Sequence, residues 1–299
     1  MKDQNPLDED WDYLIILDAC RYDFFEQVYS DYLKGKLEKR KSVASSTPEW
    51  AAKTFTGQHD LTYFSSNPFI NGAGLPLNDI EWGSSCGYEW NGEEHITDIV
   101  DVWHEAWDDE LGTVTPEGMN EVVLDNLDRT EDTERTIIHY MQPHAPYITK
   151  GRGRKVEKIR KSFKEAKEAG EENDNEESGV LSTVGDVVRP KFEDIVEDST
   201  LAMKLGMWVE LDPSSLLSVG RNGTRETLEE YYEENLRLAM EQVVELVQEL
   251  DGKVVVTSDH GEAFGEQGVW EHHIETHIPA LIEVPWLEVE GVKEDHPEQ

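Results

Sequence analysis

Residues 253–262 have the sequence Lys-Val-Val-Val-Thr-Ser-Asp-His-Gly-Glu, and this stretch decides the predicted fold. Three valines after Gly252 form a short apolar run, which is typical of a strand covered on both faces in a parallel sheet. The run leads to Asp259 and His260, which therefore lie at the strand's carboxyl end, the edge where α/β sheets bind ligands. A carboxylate beside a neutral imidazole suits zinc, manganese or iron. A strand-end Asp can equally serve only as the cap of the next helix.

Two other apolar runs have the same form. Trp11–Leu17 ends at Asp18, and Arg135–Met141 is followed by a proline-rich loop that contains His144. We expect these two segments and Val254–Thr257 to be neighbours in a mostly parallel sheet with helices on both faces. The predicted fold class is α/β, a three-layer α/β/α sandwich.

Thr227–Leu250 is the clearest predicted helix, because apolar residues recur in it with helical period and Thr227 with Glu230 fits a capping box. Gly252 follows as its C-terminal cap. Pro48 is typical of a first helical turn and begins a second helix that ends at about Phe55. The remaining predicted elements are three helices and a last strand, at about 20–33, near 98–109, at 116–128 and at 277–284, with Pro285 closing the strand.

Acidic residues dominate the composition, with 65 Asp and Glu against 27 Lys and Arg and a net charge of -38. This charge disfavours nucleic acid as a partner and indicates a halophilic source, a hypothesis that full activity in dilute buffer would contradict. Only Cys20 and Cys86 are present, so no disulfide framework is indicated. Residues 1–12 are polar and no apolar run approaches membrane length, from which we expect a cytoplasmic protein.

We expect one domain over residues 1–299, with an insertion at about 150–223. Residues 150–167 carry nine of the 27 basic residues and precede an acidic spacer. An amphipathic helix with a basic face would draw an anionic substrate towards the His144 loop, and Lys150 and Arg152 are its candidate contacts. The alternative is a solvated helix whose bases pair with nearby acids.

Polar residues that can bind metals follow four predicted strands or loops: Asp18, His139 with His144, Asp259 with His260, and His272. Two Asp and three or four His can hold two divalent ions about 3.5–4 Å apart, the spacing of two-metal phosphoester sites. Each residue also has an ordinary structural alternative. Asp18 can cap the following helix, and His139 can be a hydrogen-bonded core histidine.

Ser46 and Thr47 place hydroxyl groups directly before Pro48. If a helix begins there, its free N–H groups face an anion. A metal that touches such a hydroxyl favours the alkoxide and makes it a nucleophile. The alternative is an ordinary Ser or Thr N-cap.

These segments together resemble the alkaline phosphatase superfamily, in its sulfatase and phosphoethanolamine transferase branch. Five segments, in family order, carry the resemblance: Asp18–Asp23 as Asp-x-x-Arg-x-Asp, Ser46-Thr47-Pro48, His139–Tyr147 as His-x-Met-x-Pro-His-x-Pro-Tyr, Ser258–Glu262 as Ser-Asp-His-Gly-Glu with His272 after it, and His277–Pro279 as His-x-Pro. The resemblance leaves residues 56–132 and 150–223 unexplained.

The resemblance implies an alkaline phosphatase-like fold and a role for each matching residue. A first metal would be bound by Asp18, Asp259, His260 and the nucleophile oxygen, and His144 and His272 would serve a second metal or the ester oxyanion. His139 would contact phosphoryl or sulfuryl oxygens, and Arg21 would bind substrate. Spacing to the proline selects Ser46 as the nucleophile, with Thr47 as the fallback.

Three departures from the sulfatase pattern favour phosphate esters. Trp50 stands where formylglycine formation needs Arg, Ala19 replaces a second metal-binding Asp, and His260 replaces Asn. The resemblance therefore implies a metal-dependent hydrolase of phosphate esters, with sulfate esters as a second substrate class. The substrate would be a small molecule or a glycan- or lipid-linked ester. One or two divalent ions are expected, zinc or manganese first, then calcium or magnesium. The alternatives are a phospho-head-group transferase and a non-catalytic anion-binding relative.

Overall fold

A computed structural model describes residues 1–79, 86–150 and 225–293, with Lys150 described in its backbone only. The predicted insertion at about 150–223, including Arg152, therefore lies outside the described residues, and so does the Lys150 side chain. Within the described residues, no helix is both long enough and apolar enough to cross a membrane.

The described elements alternate between strands and helices along the chain. The strands are β1 (Lys2–Asp3), β2 (Tyr13–Leu17), β3 (Leu33–Lys41), β4 (His59–Ser65), β5 (Ile96–Val100), β6 (Trp107–Asp108), β7 (Thr113–Val114), β8 (Arg135–Tyr140), β9 (Val254–Thr257), β10 (Ala263–Phe264), β11 (Trp270–Glu271) and β12 (Glu283–Val292). The helices are α1 (Tyr22–Val28), α2 (Thr47–Thr54), α3 (Gly92–His95), α4 (Val102–Glu105), α5 (Pro116–Asp125), α6 (Arg225–Glu249) and α7 (Pro279–Ile282).

Eight strands form one sheet in the order β1-β3-β12-β9-β2-β8-β4-β5. All neighbouring pairs are parallel except the two that involve β12. The three strands expected at the centre, β9, β2 and β8, are adjacent, as predicted. Their apolar side chains are buried, which explains why each appears in the sequence as a continuous apolar run.

Helices cover both faces of the sheet, as the alternation of side chains along β8 shows. His139 points to one face, where its ring packs against Trp50 of α2. Tyr140 points to the other, where its hydroxyl donates to Asn120 of α5 and the Asn120 amide donates to Gln242 of α6 over 2.8 Å to the carbonyl. Because successive side chains in a strand face opposite ways, α2 and the α5–α6 pair lie on opposite faces. The fold is an α/β/α sandwich with a mostly parallel sheet.

Two sequence predictions about strands are wrong. The chain enters β3 at Leu33, where the sequence predicts the end of a helix; α1 already ends at Val28. Charged residues alternate along β3 because it lies near the sheet edge, so its pattern lacks an apolar run. The last strand is Glu283–Val292, and Pro285 lies inside it. Proline is tolerated there because pairing with β9 begins only at the next residue, Trp286.

Candidate active site

The candidate site lies at the carboxyl edge of the three central strands, where β2, β8 and β9 deliver Asp18, His139 and Asp259. One potential ligand atom of each lies within 4.8 Å of the other two. His260 joins them, with its Nε2 3.6 Å from Asp18 Oδ1 and 3.4 Å from Asp259 Oδ2. All four side chains are at most 1% exposed. The structure thus gathers four sequence-predicted site residues in one buried cluster.

Backbone hydrogen bonds hold the turn after β2 against the end of β9. Ala19 adopts a φ of 59°, in the left-handed region, and its N–H donates to Asp259 Oδ1 over 3.1 Å. The N–H of Cys20 donates to Ser258 Oγ over 2.7 Å. Left-handed backbone costs a residue with a side chain roughly 1–2 kcal/mol. The surrounding hydrogen bonds offset that cost and fix the carboxylate of Asp18 beside that of Asp259.

Thr47, rather than Ser46, brings its hydroxyl to this cluster. Thr47 Oγ1 donates to Asp259 Oδ2 over 2.8 Å and lies 3.3 Å from His260 Nε2. Ser46 is the extended N-cap of α2, and its buried Oγ has no hydrogen-bond partner among the described residues. Spacing to the proline selects Ser46, but the geometry favours Thr47. The reason is that Thr47 is the first helical residue, and only its side chain reaches the carboxylate.

A second cluster consists of His144, Glu262 and His272, whose potential ligand atoms also lie within 4.8 Å of one another. His272 Nδ1 lies 3.0 Å from Glu262 Oε2. The ring centroid of His272 lies 4.9 Å from that of His144 and 4.7 Å from that of His260. The second cluster therefore adjoins the first.

Helix α6 holds the two loops that carry Asp18 and His144. The Asn235 amide nitrogen lies 3.0–3.4 Å from three carbonyl oxygens of the His144 loop, and Asn235 Oδ1 accepts from the N–H of Ile148 over 3.0 Å. One helical turn earlier, the Tyr232 hydroxyl donates to the Ala19 carbonyl over 2.6 Å. Both side chains are completely buried. The helix that the sequence predicts best therefore positions residues of both clusters.

Sequence reasoning missed three residues that contact the clusters. The amide of Asn67 donates to Asp18 Oδ2 over 2.7 Å and to Thr47 Oγ1 over 3.2 Å. The sequence contains a signal for Asn67, because this residue follows β4 in the same way that polar residues follow the other central strands. Glu262 belongs to a quoted motif but was assigned no role. Tyr63, whose hydroxyl lies 2.7 Å from His139 Nδ1, gave no sequence signal, because its partner depends on strand order.

Burial and neighbouring charges shift the pKa values of the clustered groups in opposite directions. Burial, reinforced by the adjacent Asp259, raises the pKa of Asp18 well above its ordinary value. Burial acts on Asp259 too, but His260 and His139 outweigh it and lower the pKa of that carboxyl. Burial lowers the pKa of His139 to about 4, so its ring is neutral at pH 7. A bound cation would offset the repulsion between these two buried carboxylates.

The residues of the first cluster fit a divalent metal ion. Asp18 Oδ1 is buried and has no hydrogen-bond partner among the described side and main chains. This carboxylate oxygen is therefore left without a bonding partner. His260 Nδ1 lies 2.8 Å from the Gly261 carbonyl. This fixes the proton on Nδ1 and turns the lone pair of Nε2 towards the carboxylates. Two carboxylates, one imidazole and the Thr47 hydroxyl form a donor set suited to zinc or manganese.

The contacts of Arg21 do not support the substrate-binding role that the sequence suggested. Its guanidinium binds both carboxylate oxygens of Asp23, at 2.9 and 2.7 Å, and Glu266 at 2.8 Å. It also lies over the rings of Phe24 and Phe264. Arg21 is only 7% exposed. In this structure Arg21 ties α1 to the loop after β10, and its substrate-binding role stays a prediction.

A buried carboxylate, Glu49, ties α2 to the loop that follows His272. Glu49 Oε2 accepts from the N–H of Ser45 over 2.9 Å and from the N–H of Glu275 over 3.0 Å. His277 Nε2 lies 2.7 Å from Oε1, and Lys53 also binds it. Burial alone would raise the pKa of Glu49, but Lys53 and the backbone donors outweigh it and hold the pKa at about 2.

Glu49→Gln should lower the free energy of unfolding by about 2–3 kcal/mol at pH 7. The variant keeps the shape of the side chain but replaces a charged acceptor with a neutral one, and hydrogen bonds to charged groups contribute about 1.5–3 kcal/mol. Urea unfolding followed by fluorescence measures the change. The control is Glu117→Gln, since Glu117 also lies in a first helical turn but is exposed. Equal stability of both variants would contradict the proposed tie.

Comparisons with known proteins find similarity to solved structures alone. No protein-family model and no curated protein matches the sequence. Similar solved structures include phosphoethanolamine transferases, a phosphonate monoester hydrolase, a sulfatase and a protein in the alkaline phosphatase superfamily from Vibrio parahaemolyticus.

Three of these structures give the level of similarity. The soluble domain of lipooligosaccharide phosphoethanolamine transferase A from Neisseria meningitidis is 12% identical, with a TM-score of 0.48, over 96% of this chain and 79% of that one. The phosphonate monoester hydrolase of Silicibacter pomeroyi is 14% identical, with a TM-score of 0.48, over 93% and 67%. The C-terminal periplasmic domain of EcEptC from Escherichia coli, in complex with zinc, is 12% identical, with a TM-score of 0.40, over 97% of this chain and 75% of that one. Similarity this low assigns no activity, which has to be argued from the side chains of the site.

Proposed function

We propose that this protein is a metal-dependent hydrolase of phosphate esters that uses Thr47 as its nucleophile. The observation that carries the proposal is the position of the Thr47 hydroxyl, 2.8 Å from Asp259 and 3.3 Å from His260 in a buried cluster of two carboxylates. Thr47 is the first residue of α2 and Ser46 is its N-cap, so the Thr47 hydroxyl is not needed to cap the helix. The cluster favours a role for this hydroxyl in chemistry.

In the proposed reaction, Thr47 Oγ1 attacks phosphorus in line with the leaving oxygen. The Oγ1–P bond forms as the ester P–O bond breaks, and the leaving oxygen takes the electron pair of that bond and a proton from solvent to depart as the alcohol. A divalent ion held by Asp18, Asp259 and His260 would supply charge neutralisation and favour the Thr47 alkoxide. In the protein itself, the Thr47 hydroxyl donates a hydrogen bond to Asp259 Oδ2, which would accept its proton. The position of Thr47 at the N-terminus of α2 favours the Thr47 alkoxide. Water then displaces Thr47 and releases phosphate.

The second cluster gives this site room for a second cation or for the ester oxyanion. His144, Glu262 and His272 adjoin His260 without sharing a residue with the first cluster. Two cations would neutralise both the attacked phosphoryl group and the departing oxygen. Zinc or manganese, one or two per chain, is the metal that we propose.

Phosphate esters suit this site better than sulfate esters. Trp50 occupies the position where formylglycine formation needs arginine, and it is completely buried against Phe55 and His139. No oxidised nucleophile is then required, because the hydroxyl of Thr47 already lies at the carboxylates. The substrates that we propose are small phosphate esters or phosphate esters carried by a glycan or a lipid.

Metal removal and ester choice test the proposal together. After dialysis against a chelator, turnover of an aryl phosphate should fall to background and return when zinc or manganese is added. Aryl phosphate should react at least about tenfold faster than aryl sulfate, since a tenfold preference requires only about 1.4 kcal/mol between the transition states. The assay compares aryl phosphate, bis-aryl phosphate and aryl sulfate with zinc, manganese or calcium.

Three outcomes of that assay would contradict the proposal. A higher rate on aryl sulfate, or formylglycine detected by mass spectrometry at Ser46, would identify a sulfatase. Turnover that is unchanged after treatment with the chelator would contradict a role for a metal ion. Transfer of the phosphoryl group to an added alcohol in place of phosphate release would identify a transferase, the alternative that the sequence leaves open.

A further inference from the structure

Tyr63 and His139 form a completely buried pair beside the first cluster. Tyr63 lies on β4 and His139 on β8, which are neighbouring parallel strands. Both side chains are 0% exposed. The Tyr63 hydroxyl lies 2.7 Å from His139 Nδ1, on the side of the ring that faces away from the carboxylates. This contact determines which ring nitrogen of His139 carries a proton.

The direction of the hydrogen bond between Tyr63 and His139 follows from the partners available to the Tyr63 hydroxyl. Among the described residues, the hydrogen-bond partner of the Tyr63 hydroxyl is His139 Nδ1. If Nδ1 carried the proton and donated it, the hydroxyl hydrogen would be buried with no acceptor, which native structures rarely tolerate. The hydroxyl must therefore donate and Nδ1 must accept. A doubly protonated ring is excluded by the same reasoning.

The proton of the neutral ring then lies on Nε2, the nitrogen that faces the cluster. Nε2 lies 3.7 Å from Asp18 Oδ2 and 3.9 Å from Asp259 Oδ2, beyond hydrogen-bond distance. It is buried and has no hydrogen-bond partner in the described part of the chain. A buried N–H donor that points into a space between two carboxylates requires an acceptor from outside the protein.

We propose that Tyr63 is a positioning residue that fixes His139 as a hydrogen-bond donor through Nε2–H. The contact with phosphoryl oxygens that the sequence resemblance already implies for His139 would use this donor. A nitrogen that carries a proton has no lone pair for a metal, so His139 is not a metal ligand. This holds although one of its nitrogens lies within 4.8 Å of an oxygen of each carboxylate. The assignment deepens the proposed function and rests on it for the identity of the acceptor.

The contrast with His260 supports the assignment. The far nitrogen of His260 faces the Gly261 carbonyl, which can only accept, so His260 Nδ1 carries a proton and Nε2 is the nitrogen left to bind a cation. The far nitrogen of His139 faces a hydroxyl whose proton has no other acceptor, so its Nε2 presents a proton. Two buried imidazoles in one site thus take opposite tautomers, one suited to a cation and the other to an anion.

The experiment compares Tyr63→Phe with the control Tyr140→Phe. Tyr140 is also completely buried and donates its hydroxyl to one side chain, Asn120, but on the opposite face of the sheet. The ring nitrogens of His139 are observed by ¹⁵N NMR in the metal-free protein, with the signals assigned by comparison with His139→Gln. Steady-state kinetics with an aryl phosphate and metal content are measured for both variants.

In the wild type, Nε2 of His139 should be protonated and Nδ1 unprotonated. Tyr63→Phe should shift the proton to Nδ1 in a substantial fraction of molecules and lower kcat about ten- to a hundredfold, since one preorganised donor contributes about 10²–10³ in rate. KM and metal content should stay within about twofold of the wild type, as should all values for Tyr140→Phe.

A wild-type signal that shows protonated Nδ1 would overturn the tautomer assignment. Equal kcat in Tyr63→Phe and Tyr140→Phe, or a selective loss of metal in Tyr63→Phe, would overturn the donor role. If the wild type hydrolyses no phosphate ester, the proposed function fails, whereas the NMR result still decides the tautomer. The two failures are therefore distinguishable.

Discussion

Thr47→Ala should lower kcat for an aryl phosphate at least about a thousandfold while the fold and the metal content stay intact. The variant removes the hydroxyl that donates to Asp259 Oδ2 and leaves Asp18, Asp259 and His260 in place. Loss of a nucleophile reduces the rate to whatever positioning and charge stabilisation provide alone, and such losses reach about 10⁶ in a well-studied protease. Steady-state kinetics, metal analysis and circular dichroism measure the three quantities.

Ser46→Ala is the matched control, because it removes a buried hydroxyl from the preceding residue. The Ser46 hydroxyl has no hydrogen-bond partner among the described residues, so we expect kcat within about threefold of the wild type. Thr47→Ser keeps a hydroxyl and should retain most of the activity. Intact-mass spectrometry after a rapid quench should find a phosphorylated wild-type protein and none in Thr47→Ala. If Thr47→Ala kept full activity and Ser46→Ala were inactive, the nucleophile would be Ser46, the residue that spacing to the proline selects.

Asp18→Asn should abolish most of the stabilisation that the metal gives to the wild type. A ligand that binds only the folded state stabilises it by about 2.7 kcal/mol at a hundredfold excess over Kd, so zinc or manganese should raise the Tm of the wild type by several degrees. The variant loses one of the two carboxylates, and its gain should fall to a degree or less. Without metal the variant should be at least as stable as the wild type, because the repulsion between two buried acids is relieved. Differential scanning fluorimetry with and without metal measures both effects.

Asp101→Asn provides the comparison for that experiment. Asp101 also follows a strand of the sheet and is buried, where it accepts from the N–H of Gly72 and from the Trp103 indole. It belongs to neither cluster, so its replacement should leave the gain from metal unchanged. An undiminished gain in Asp18→Asn would exclude Asp18 from the metal site.

The sequence predicts the central sheet well because buried parallel strands have a strong local signature. The runs before Asp18, His144 and Asp259 are apolar and end at polar residues, and the structure makes those strands neighbours. Strand β3, which lies next to the edge strand β1, has no such signature, since solvent and salt bridges satisfy its alternating charges. Local pattern therefore predicts what is buried on both faces and fails at the margin of the sheet.

The candidate site is predictable only where motifs carry it. Asp18, His139, Asp259 and His260 stand at strand ends or within motifs, and they converge in the structure. The choice between Ser46 and Thr47 depends on side-chain direction at a helix start, which spacing does not encode. The partners Tyr63 and Asn67 depend on β4 lying beside β8, a consequence of strand order that no local stretch of sequence contains.

The central strand β2 has a consequence for the order in which this protein is made. Its neighbours on either side, β8 and β9, begin more than a hundred and more than two hundred residues later in the chain, so during synthesis β2 waits for both partners. The carboxylates of Asp18 and Asp259 meet only when β9 has left the ribosome. Long-range parallel pairing of this kind is slow and leaves apolar strands exposed meanwhile. Capture of the proposed metal would therefore come last, and the amount of bound metal in freshly made protein would report how many chains have completed folding.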